Sequence, residues 1–201
     1  MLQYIVKTDS PEEIISQAKD ALAAGVKWIE LKTTSGIGDE ELTKVIEELK
    51  PLVSDAEGTL TLASRVTLAK QTGVDGVQLY PDDLPPTAAR MELEAGPFIG
   101  MSVRDRDTVE RNLHFDIDYF RFEPLFESDG EHLETLHEIA DLLRAKKSDK
   151  PLAAAGGINA GNVEGVLAAG AAGVAVDASL AADSDSLAEA LKKLTDTIGN
   201  A

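Results

Sequence analysis

Apolar residues along the chain fall into eight short runs, separated by longer stretches in which apolar positions recur every three or four residues. Short apolar runs bounded by turn residues predict buried strands, and the longer period predicts amphipathic helices. The predicted strands are residues 3–7, 27–31, 59–62, 76–79, 98–103, 119–123, 152–155 and 173–176. Strands that alternate with helices along a whole chain indicate a parallel sheet built from βα units.

Local signals mark where the predicted helices begin and end. Ser10 is a typical N-cap residue, and Glu13 three positions later completes a capping-box pattern. Gly25, Gly73 and Gly170 each lie between a predicted helix and the next strand. Glycine is the usual residue for the left-handed turn that ends a helix, so these positions predict three helix ends.

A weak internal repeat supports the same layout. Residues 24–29, 72–77 and 169–174 each combine the end of a helix, a glycine and the start of a buried strand. Successive βα units that stack on one another produce such a recurrence. Eight strands within 201 residues favour a closed (β/α)8 barrel, the TIM barrel, over an open doubly wound sheet. No linker interrupts the pattern, which predicts one domain over residues 1–201.

Charge and composition exclude several classes of partner. The chain has 36 acidic and 19 basic residues and a net charge of −17, which argues against nucleic acid and anionic membranes. Cysteine is absent, so disulfides and thiolate metal sites are excluded. No apolar run approaches the roughly 20 residues that cross a bilayer, and no signal peptide is predicted. We expect a cytoplasmic protein, with a homodimer among the partners to be tested.

In barrels of this kind the active site lies at the carboxyl ends of the strands. Polar residues and glycines at those ends are therefore the candidate site residues: Glu30, Lys32, Arg65, Asp83, Ser102, Arg104, Arg121, Glu123, Gly156, Gly157, Asp177 and Ser179. Alternation along a strand places Glu30 and Lys32 on one face, and likewise Arg121 and Glu123. Such pairs either line a ligand site or form structural ion pairs, because a buried charge is costly unless paired.

Two consecutive glycines, Gly156 and Gly157, directly follow the seventh predicted strand. They allow a ligand to approach the backbone closely, and Asn159 suits the N-cap of a helix whose free N–H groups bind phosphate. The loops after the last two strands are the usual phosphate site of this fold. The alternative is a tight turn that needs glycine for its backbone angles. We predict a small phosphorylated metabolite as the ligand.

Two carboxylates, Asp82 and Asp83, follow the fourth predicted strand. Mg²⁺ prefers carboxylate oxygens and commonly bridges them to substrate phosphates, which predicts a metal ligand at Asp83. The alternative is an acidic first turn that stabilises the helix starting near Pro85.

Several segments, in order along nearly the whole chain, resemble thiamine phosphate synthases and the related thiazole tautomerases. They are residues 73–79 running into 82–85, 100–103, 118–119 with 124–126, 155–159 and 170–176. The resemblance implies a barrel that joins a hydroxymethylpyrimidine diphosphate to a thiazole phosphate. The reaction it implies uses Mg²⁺ and releases pyrophosphate.

The resemblance also assigns roles to individual residues. Asp83 would hold the metal, and Gly157 would contact the thiazole phosphate. Ser102 and Lys32 would bind the diphosphate, with Arg104 as a substitute cation on the same strand face as Ser102. These three residues are the expected catalytic group.

The chain departs from the family pattern around the expected diphosphate. Thr34 stands where the family has a second cation, and Ala63 and Ser64 replace a pair that supplies a metal ligand. The loop that grips pyrophosphate reads 127–130 here, with Asp129 in place of a cation. Loss of one good transition-state donor typically costs about 10²–10³ in rate.

Three functions therefore remain open. The first is a divergent thiamine phosphate synthase. The second is a non-catalytic or regulatory barrel that still binds a phosphorylated ligand. The third is another reaction on a phosphorylated metabolite, such as an isomerase or an aldolase. An aldolase would need a Schiff-base lysine, and Lys32 is the lysine that follows a strand suitably.

Overall fold

Parallel strands surround a central axis in the computed structural model, which describes residues 1–127 and 130–200. The strands are β1 (Leu2–Val6), β2 (Trp28–Leu31), β3 (Thr59–Ala63), β4 (Gly76–Leu79), β5 (Phe98–Val103), β6 (Tyr119–Phe122), β7 (Phe126–Glu127), β8 (Gly130–Glu131), β9 (Leu152–Ala155) and β10 (Gly173–Asp177). All except β7 and β8 form one closed barrel in chain order. The predicted TIM barrel is confirmed, and each predicted strand agrees with the structure to within one residue at either end.

Helices connect the strands and cover the outside of the barrel. They are α1 (Pro11–Ala23), α2 (Asp39–Asp55), α3 (Val66–Thr72), α4 (Pro86–Leu93), α5 (Arg106–Asn112), α6 (Leu133–Ala145), α7 (Val163–Ala168) and α8 (Leu187–Asn200), with a 3₁₀ helix, η1 (Ala178–Asp183), before α8. The helix after β9 begins at Val163, four residues later than predicted. Within the described ranges, no helix is long and apolar enough to cross a membrane. That residues 1–201 form one domain stays a prediction.

Alternation along each strand separates two environments. Side chains that face outward, such as Tyr4, Ile29 and Val77, are fully buried and belong to the large apolar core between strands and helices. Side chains that face inward fill the barrel, and several of them are polar although they are buried: Gln3, Glu30, Thr61, Gln78, Ser102 and Arg121. Each of these buried polar side chains therefore needs a hydrogen-bond partner inside the barrel.

The two halves of the barrel interior differ in chemistry. On β1, β9 and β10, the small cluster of Ile5, Ala155 and Ala175 is apolar. The buried polar groups come from β2 to β6, together with Gln3 at the start of β1. At the amino ends of the strands an aromatic group seals the barrel, with the ring of Trp28 lying 5.1 Å from that of Phe98 and 5.3 Å from that of Tyr119. At the carboxyl end, the cavities lie on the side of the small residues.

The hairpin of β7 and β8 was not predicted. Phe126 pairs with Glu131, and the hairpin follows β6 directly, where the resemblance places the pyrophosphate loop. Ser128 and Asp129, to which the sequence argument assigned the lost cation, lie outside the described residues.

Ser10 supports the first helix as predicted, because its hydroxyl accepts a hydrogen bond from the Glu13 backbone N–H at 3.3 Å. Loss of such a cap costs about 1 kcal/mol, so we expect Ser10→Ala to lower the free energy of unfolding by that amount. Urea denaturation measures the change. Ser16→Ala, on an exposed position of the same helix, is the matched control and should stay within about 0.5 kcal/mol of wild type. Equal effects of the two substitutions would contradict the capping role.

Candidate active site

A buried guanidinium occupies the centre of the polar half of the barrel. Arg121 on β6 is fully buried, and so is Glu30 on β2, across the barrel. Nη1 of Arg121 donates to Glu30 Oε2 at 2.5 Å, and Nη2 donates to Oε1 at 3.2 Å. This two-bond geometry is the strongest that an arginine and a carboxylate adopt. From the sequence alone, Glu30 and Arg121 could either bind substrate or form a structural pair, and the geometry favours the structural pair.

Neutral groups complete the coordination of this pair. The Gln3 amide accepts from Arg121 Nη1 at 3.0 Å and donates to Glu30 Oε2 at 2.9 Å. The Tyr80 hydroxyl accepts from Arg121 Nη2 at 2.5 Å and donates to Glu30 Oε1 at 3.0 Å. Burial raises the pKa of Tyr80 far above its usual value, so its hydroxyl stays protonated. Gln3 and Tyr80 were missed as site residues. The inward face of β1 could have indicated Gln3, and the position directly after β4 could have indicated Tyr80.

Glu123 links this pair to Ser102. Its Oε1 accepts from Arg121 Nε at 3.1 Å and Nη2 at 3.0 Å, and it also accepts from the Ser102 hydroxyl. Burial raises the pKa of Glu123, but the Arg121 guanidinium, the Ser102 hydrogen bond and Lys32 together hold that pKa below its usual range. Ser102, which is 1% exposed, also accepts from the Gln78 amide at 2.9 Å. The resemblance implies that the Ser102 hydroxyl donates to a diphosphate, but here this hydroxyl already donates to Glu123.

Two lysines lie side by side at the mouth. Lys32 places Nζ 3.7 Å from the centre of the Tyr80 ring. Burial lowers the pKa of Lys32, Glu123 opposes this, and Lys7 adds to the lowering. Lys7 forms an ion pair with Asp177, whose other oxygen accepts from the Ser179 backbone N–H at 2.9 Å. Lys7 was missed, although the predicted first strand ends on it.

The Asp177 carboxylate has partners within the protein for both of its oxygens. It caps η1 through Ser179 and pairs with Lys7. Burial raises the pKa of Asp177. The hydrogen bonds from Lys7 and Ser179 together outweigh burial and bring that pKa below its usual value. Its negative charge is balanced, so it repels a bound phosphate less than an isolated carboxylate would.

The two remaining arginine candidates differ in whether they have hydrogen-bond or ion-pair partners within the protein. Arg104 is exposed beyond β5 and has no hydrogen-bond or ion-pair partner in residues 1–127 and 130–200. Arg65 instead holds the loop between β2 and α2, since Nη2 donates to Ile37 O at 3.0 Å and Nη1 pairs with Asp39. The position of Arg65 therefore favours a structural role in this loop over the predicted contact with substrate.

Asp83 closes a turn after β4. Its Oδ2 accepts from the Tyr80 backbone N–H at 2.7 Å, and its own N–H donates to Tyr80 O at 3.0 Å. No group of three or more His, Cys, Asp or Glu side chains suited to a metal occurs in the described part of the chain. Asp83 can therefore offer one carboxylate to a cation and no more.

The glycine pair after β9 has positive backbone angles, with φ of +100° at Gly156 and +65° at Gly157. A Cβ on Gly157 would lie 2.8 Å from Cβ of Phe126 in the hairpin. The hairpin and the turn themselves thus require glycine here, which is the alternative that the sequence argument kept open.

The predicted helix start at Asn159 is wrong, and the reason is local. The Asn159 side chain accepts from the Gly161 backbone N–H at 2.8 Å, while the Asn159 N–H donates to the side chain of Asn162 at 2.8 Å. Asn162 also donates to Gly157 O at 2.9 Å. These bonds form a turn before α7, so two N–H groups expected to face a phosphate already have partners.

A cavity of about 440 Å³ nevertheless opens between the loops after β9 and β10 and the side of α8. Its lining includes Gly157, Asn159, Ser179, Ser184 and Lys193. A smaller cavity of about 90 Å³ adjoins it at the mouth, between Lys7, Glu123 and the small residues of β9 and β10. The larger volume is in the range of small-molecule sites. Lys193 was missed because it lies on a helix and not at a strand end.

Fold and cavities define a TIM barrel with a candidate binding site at the carboxyl ends of the strands. The family model described as thiamine monophosphate synthase matches residues 2–180. The chain belongs to this family.

Individual relatives agree with this assignment. The thiamine-phosphate synthase of Bacteroides thetaiotaomicron is 30% identical over 200 residues, which cover 96% of this chain and 95% of that protein. The thiamine-phosphate synthase of Koribacter versatilis is 33% identical over 83% of this chain and 79% of its own. Among solved structures, thiamine phosphate pyrophosphorylase from Pyrococcus furiosus has a TM-score of 0.83 at 25% identity, covering 98% and 96% of the two chains.

The buried ion pair yields a stability prediction. Arg121→Met leaves Glu30 without its charge partner inside the barrel, which typically costs about 3–5 kcal/mol. We expect a loss of that size in the free energy of unfolding measured with urea. Arg104→Met, at the exposed end of the neighbouring strand, is the control and should change the stability by less than about 0.5 kcal/mol. A wild-type stability for Arg121→Met would show that the pair is not a structural requirement.

Proposed function

We propose that this chain joins a hydroxymethylpyrimidine diphosphate to a thiazole phosphate and releases pyrophosphate. The observation that carries the proposal is the family match over residues 2–180, which includes every strand end of the barrel. The names of the relatives support the same reaction. In it, pyrophosphate leaves, a pyrimidine cation forms, and the thiazole nitrogen captures that cation. The work of the protein is to position two substrates and to stabilise the leaving charge.

The thiazole phosphate is assigned to the larger cavity. Gly157 and Ser179 line it from the loops after β9 and β10, and Lys193 adds a positive charge from α8. An ammonium and backbone N–H groups suit a phosphate monoester. The diphosphate is assigned to the other side of the mouth, where Lys32 and Arg104 supply the positive charge and neither is paired with a described carboxylate.

Magnesium is part of the proposal in a restricted form. One carboxylate, that of Asp83, does not make a site that holds the ion by protein ligands alone. It does fit an ion that keeps its waters and shares phosphate oxygens, which is how Mg²⁺ is commonly bound. When bound, the ion would neutralise charge on the departing pyrophosphate.

A second candidate function is a barrel that binds a phosphorylated ligand without catalysis. The specific observation in its favour is that the Ser102 hydroxyl donates its hydrogen bond to Glu123, so that a diphosphate loses a donor. The loss of the family's metal-ligand pair at Ala63 and Ser64 points the same way. The cytoplasm as the place of action and a homodimer as the assembly remain parts of the proposal.

The altered diphosphate side predicts slow turnover. We expect pyrophosphate release at least about 10²-fold slower than for the Bacteroides thetaiotaomicron relative assayed in parallel, because several charge-compensating groups are missing. Asp83→Asn and Arg104→Ala should each lower the remaining rate. Pyrophosphate release, followed with and without Mg²⁺, is measured for the wild type, the two variants and the relative. Robust wild-type turnover that survives both substitutions would contradict the proposed diphosphate site.

The phosphate end is tested by binding. Gly157→Val is unsuitable, since its side chain would first displace Phe126. Lys193→Gln removes the ammonium from the cavity, and we expect the Kd for thiazole phosphate to rise by about tenfold, equivalent to roughly 1.4 kcal/mol. Lys192→Gln, the neighbouring lysine, which does not line this cavity, is the matched control. Isothermal titration calorimetry measures both, and equal effects would place the phosphate elsewhere.

A further inference from the structure

One oxygen of the Glu123 carboxylate is left over at the mouth of the barrel. Every hydrogen bond that Glu123 accepts from Arg121 and Ser102 goes to Oε1. Within residues 1–127 and 130–200, Oε2 has no hydrogen-bond partner. The Glu123 side chain is 17% exposed and lines the smaller cavity, of about 90 Å³. A carboxylate oxygen that is largely removed from water without a donor is poorly satisfied, so Oε2 is an acceptor for a ligand in that cavity.

The buried charges beside this cavity favour a ligand group that is positive or carries N–H donors. Glu30 and Glu123 share the single guanidinium of Arg121, so this group has one more carboxylate than cations. Burial raises the pKa of Glu123, but its partners hold that pKa below its usual range, so the carboxylate is ionised at neutral pH. A positive group at Oε2 would therefore meet an uncompensated negative charge.

The two lysines at the mouth do not change this balance. Lys7 also lines the smaller cavity, but its charge is balanced by the ion pair with Asp177. Lys32 attracts Glu123 from a distance longer than an ion pair and does not line this cavity. Its Nζ lies over the Tyr80 ring, on the side of the mouth assigned to the diphosphate. The smaller cavity is therefore not a second site for an anion.

The size and position of the smaller cavity limit what enters it. Apolar side chains of Ile5, Ala155 and Ala175 also line it. Its volume equals about three water molecules at ~30 Å³ each, enough for one edge of a flat ring with an amino group. Gly157 and Ser179 line both this cavity and the larger one, so a ring edge bound here lies next to the cavity assigned to the thiazole phosphate.

We propose that Glu123 is a catalytic residue, whose Oε2 accepts a hydrogen bond from the amino group of the pyrimidine and stabilises the positive charge that the ring develops. This inference rests on the proposed function and assigns a residue to the pyrimidine cation. The bond between the methylene carbon of the pyrimidine and the diphosphate oxygen breaks, and both electrons leave with pyrophosphate. The thiazole nitrogen then donates its lone pair to that carbon, and the positive charge passes to the thiazole ring. A fixed carboxylate beside the ring lowers the barrier of the first step, because its attraction grows as the positive charge develops.

Pyrophosphate release and pyrophosphate binding together test this role on the full chain. Glu123→Gln keeps an amide oxygen that accepts from Arg121 and Ser102 but removes the negative charge, and circular dichroism verifies its fold. We expect kcat for pyrophosphate release to fall at least about 10²-fold. The Kd for pyrophosphate should stay the same or fall, because a repelling carboxylate has gone. A wild-type kcat in Glu123→Gln would overturn the proposal. A lower kcat together with weaker pyrophosphate binding would overturn it as well, since a merely structural role weakens both.

Binding of the hydroxymethylpyrimidine without its diphosphate separates this inference from the proposed function. In isothermal titration calorimetry we expect the Kd of Glu123→Gln to be about tenfold higher than that of the wild type. Glu47→Gln, on an exposed position of α2 that lines neither cavity, removes the same charge and should bind as the wild type does. Equal affinities of the wild type and Glu123→Gln would overturn the inference. Binding that depends on Glu123 in a protein that releases no pyrophosphate would refute the proposed function and support the contact between Glu123 and the pyrimidine.

Discussion

The guanidinium of Arg121 lies where no water reaches it, inside a barrel whose other half is filled by alanine and isoleucine. Removing such a charge from water costs several kcal/mol unless partners compensate for it. The surrounding strands supply them: Glu30 with two hydrogen bonds, Gln3 and Tyr80 bridging both members, and Glu123 from the same strand. The hydrogen bonds to the Arg121 guanidinium therefore fix the positions of these side chains.

This constraint determines what is left for a ligand. Two carboxylates surround one guanidinium, so the network as a whole presents no spare positive charge to the mouth. Ser102 is drawn into it through Glu123 and no longer offers its proton outward. Anion recognition must then come from groups outside the network, namely Lys32, Arg104 and Lys193. Open space, by contrast, lies on the side of the small residues Ala155 and Ala175, which line the smaller cavity.

The barrel could be predicted from the sequence because strand burial leaves a direct trace, and each predicted strand matched one of the observed barrel strands to within a residue. The strand-end rule also brought Lys32, Arg121 and Glu123 to the same mouth. It could not show that Arg121 points at Glu30 across the barrel, since alternation gives a face and not a partner. Lys193 and Phe126 were inaccessible for a similar reason, because they reach the site from a helix and from an unpredicted hairpin.

The two ends of the proposed substrate pair make different demands on the chain, and this explains where the chain departs from its family. A phosphate monoester needs a cavity and at least one cation, and the loops after β9 and β10 with α8 provide a cavity lined by Lys193. A departing pyrophosphate needs several cations or a metal held in a dry, prearranged site. On the diphosphate side, the barrel interior is occupied by the Arg121–Glu30 ion pair, whose two charges neutralise each other. Under the proposed function, binding of a phosphorylated ligand would be retained more readily than transfer, because stabilising a leaving group requires charges that this barrel uses inside its polar network.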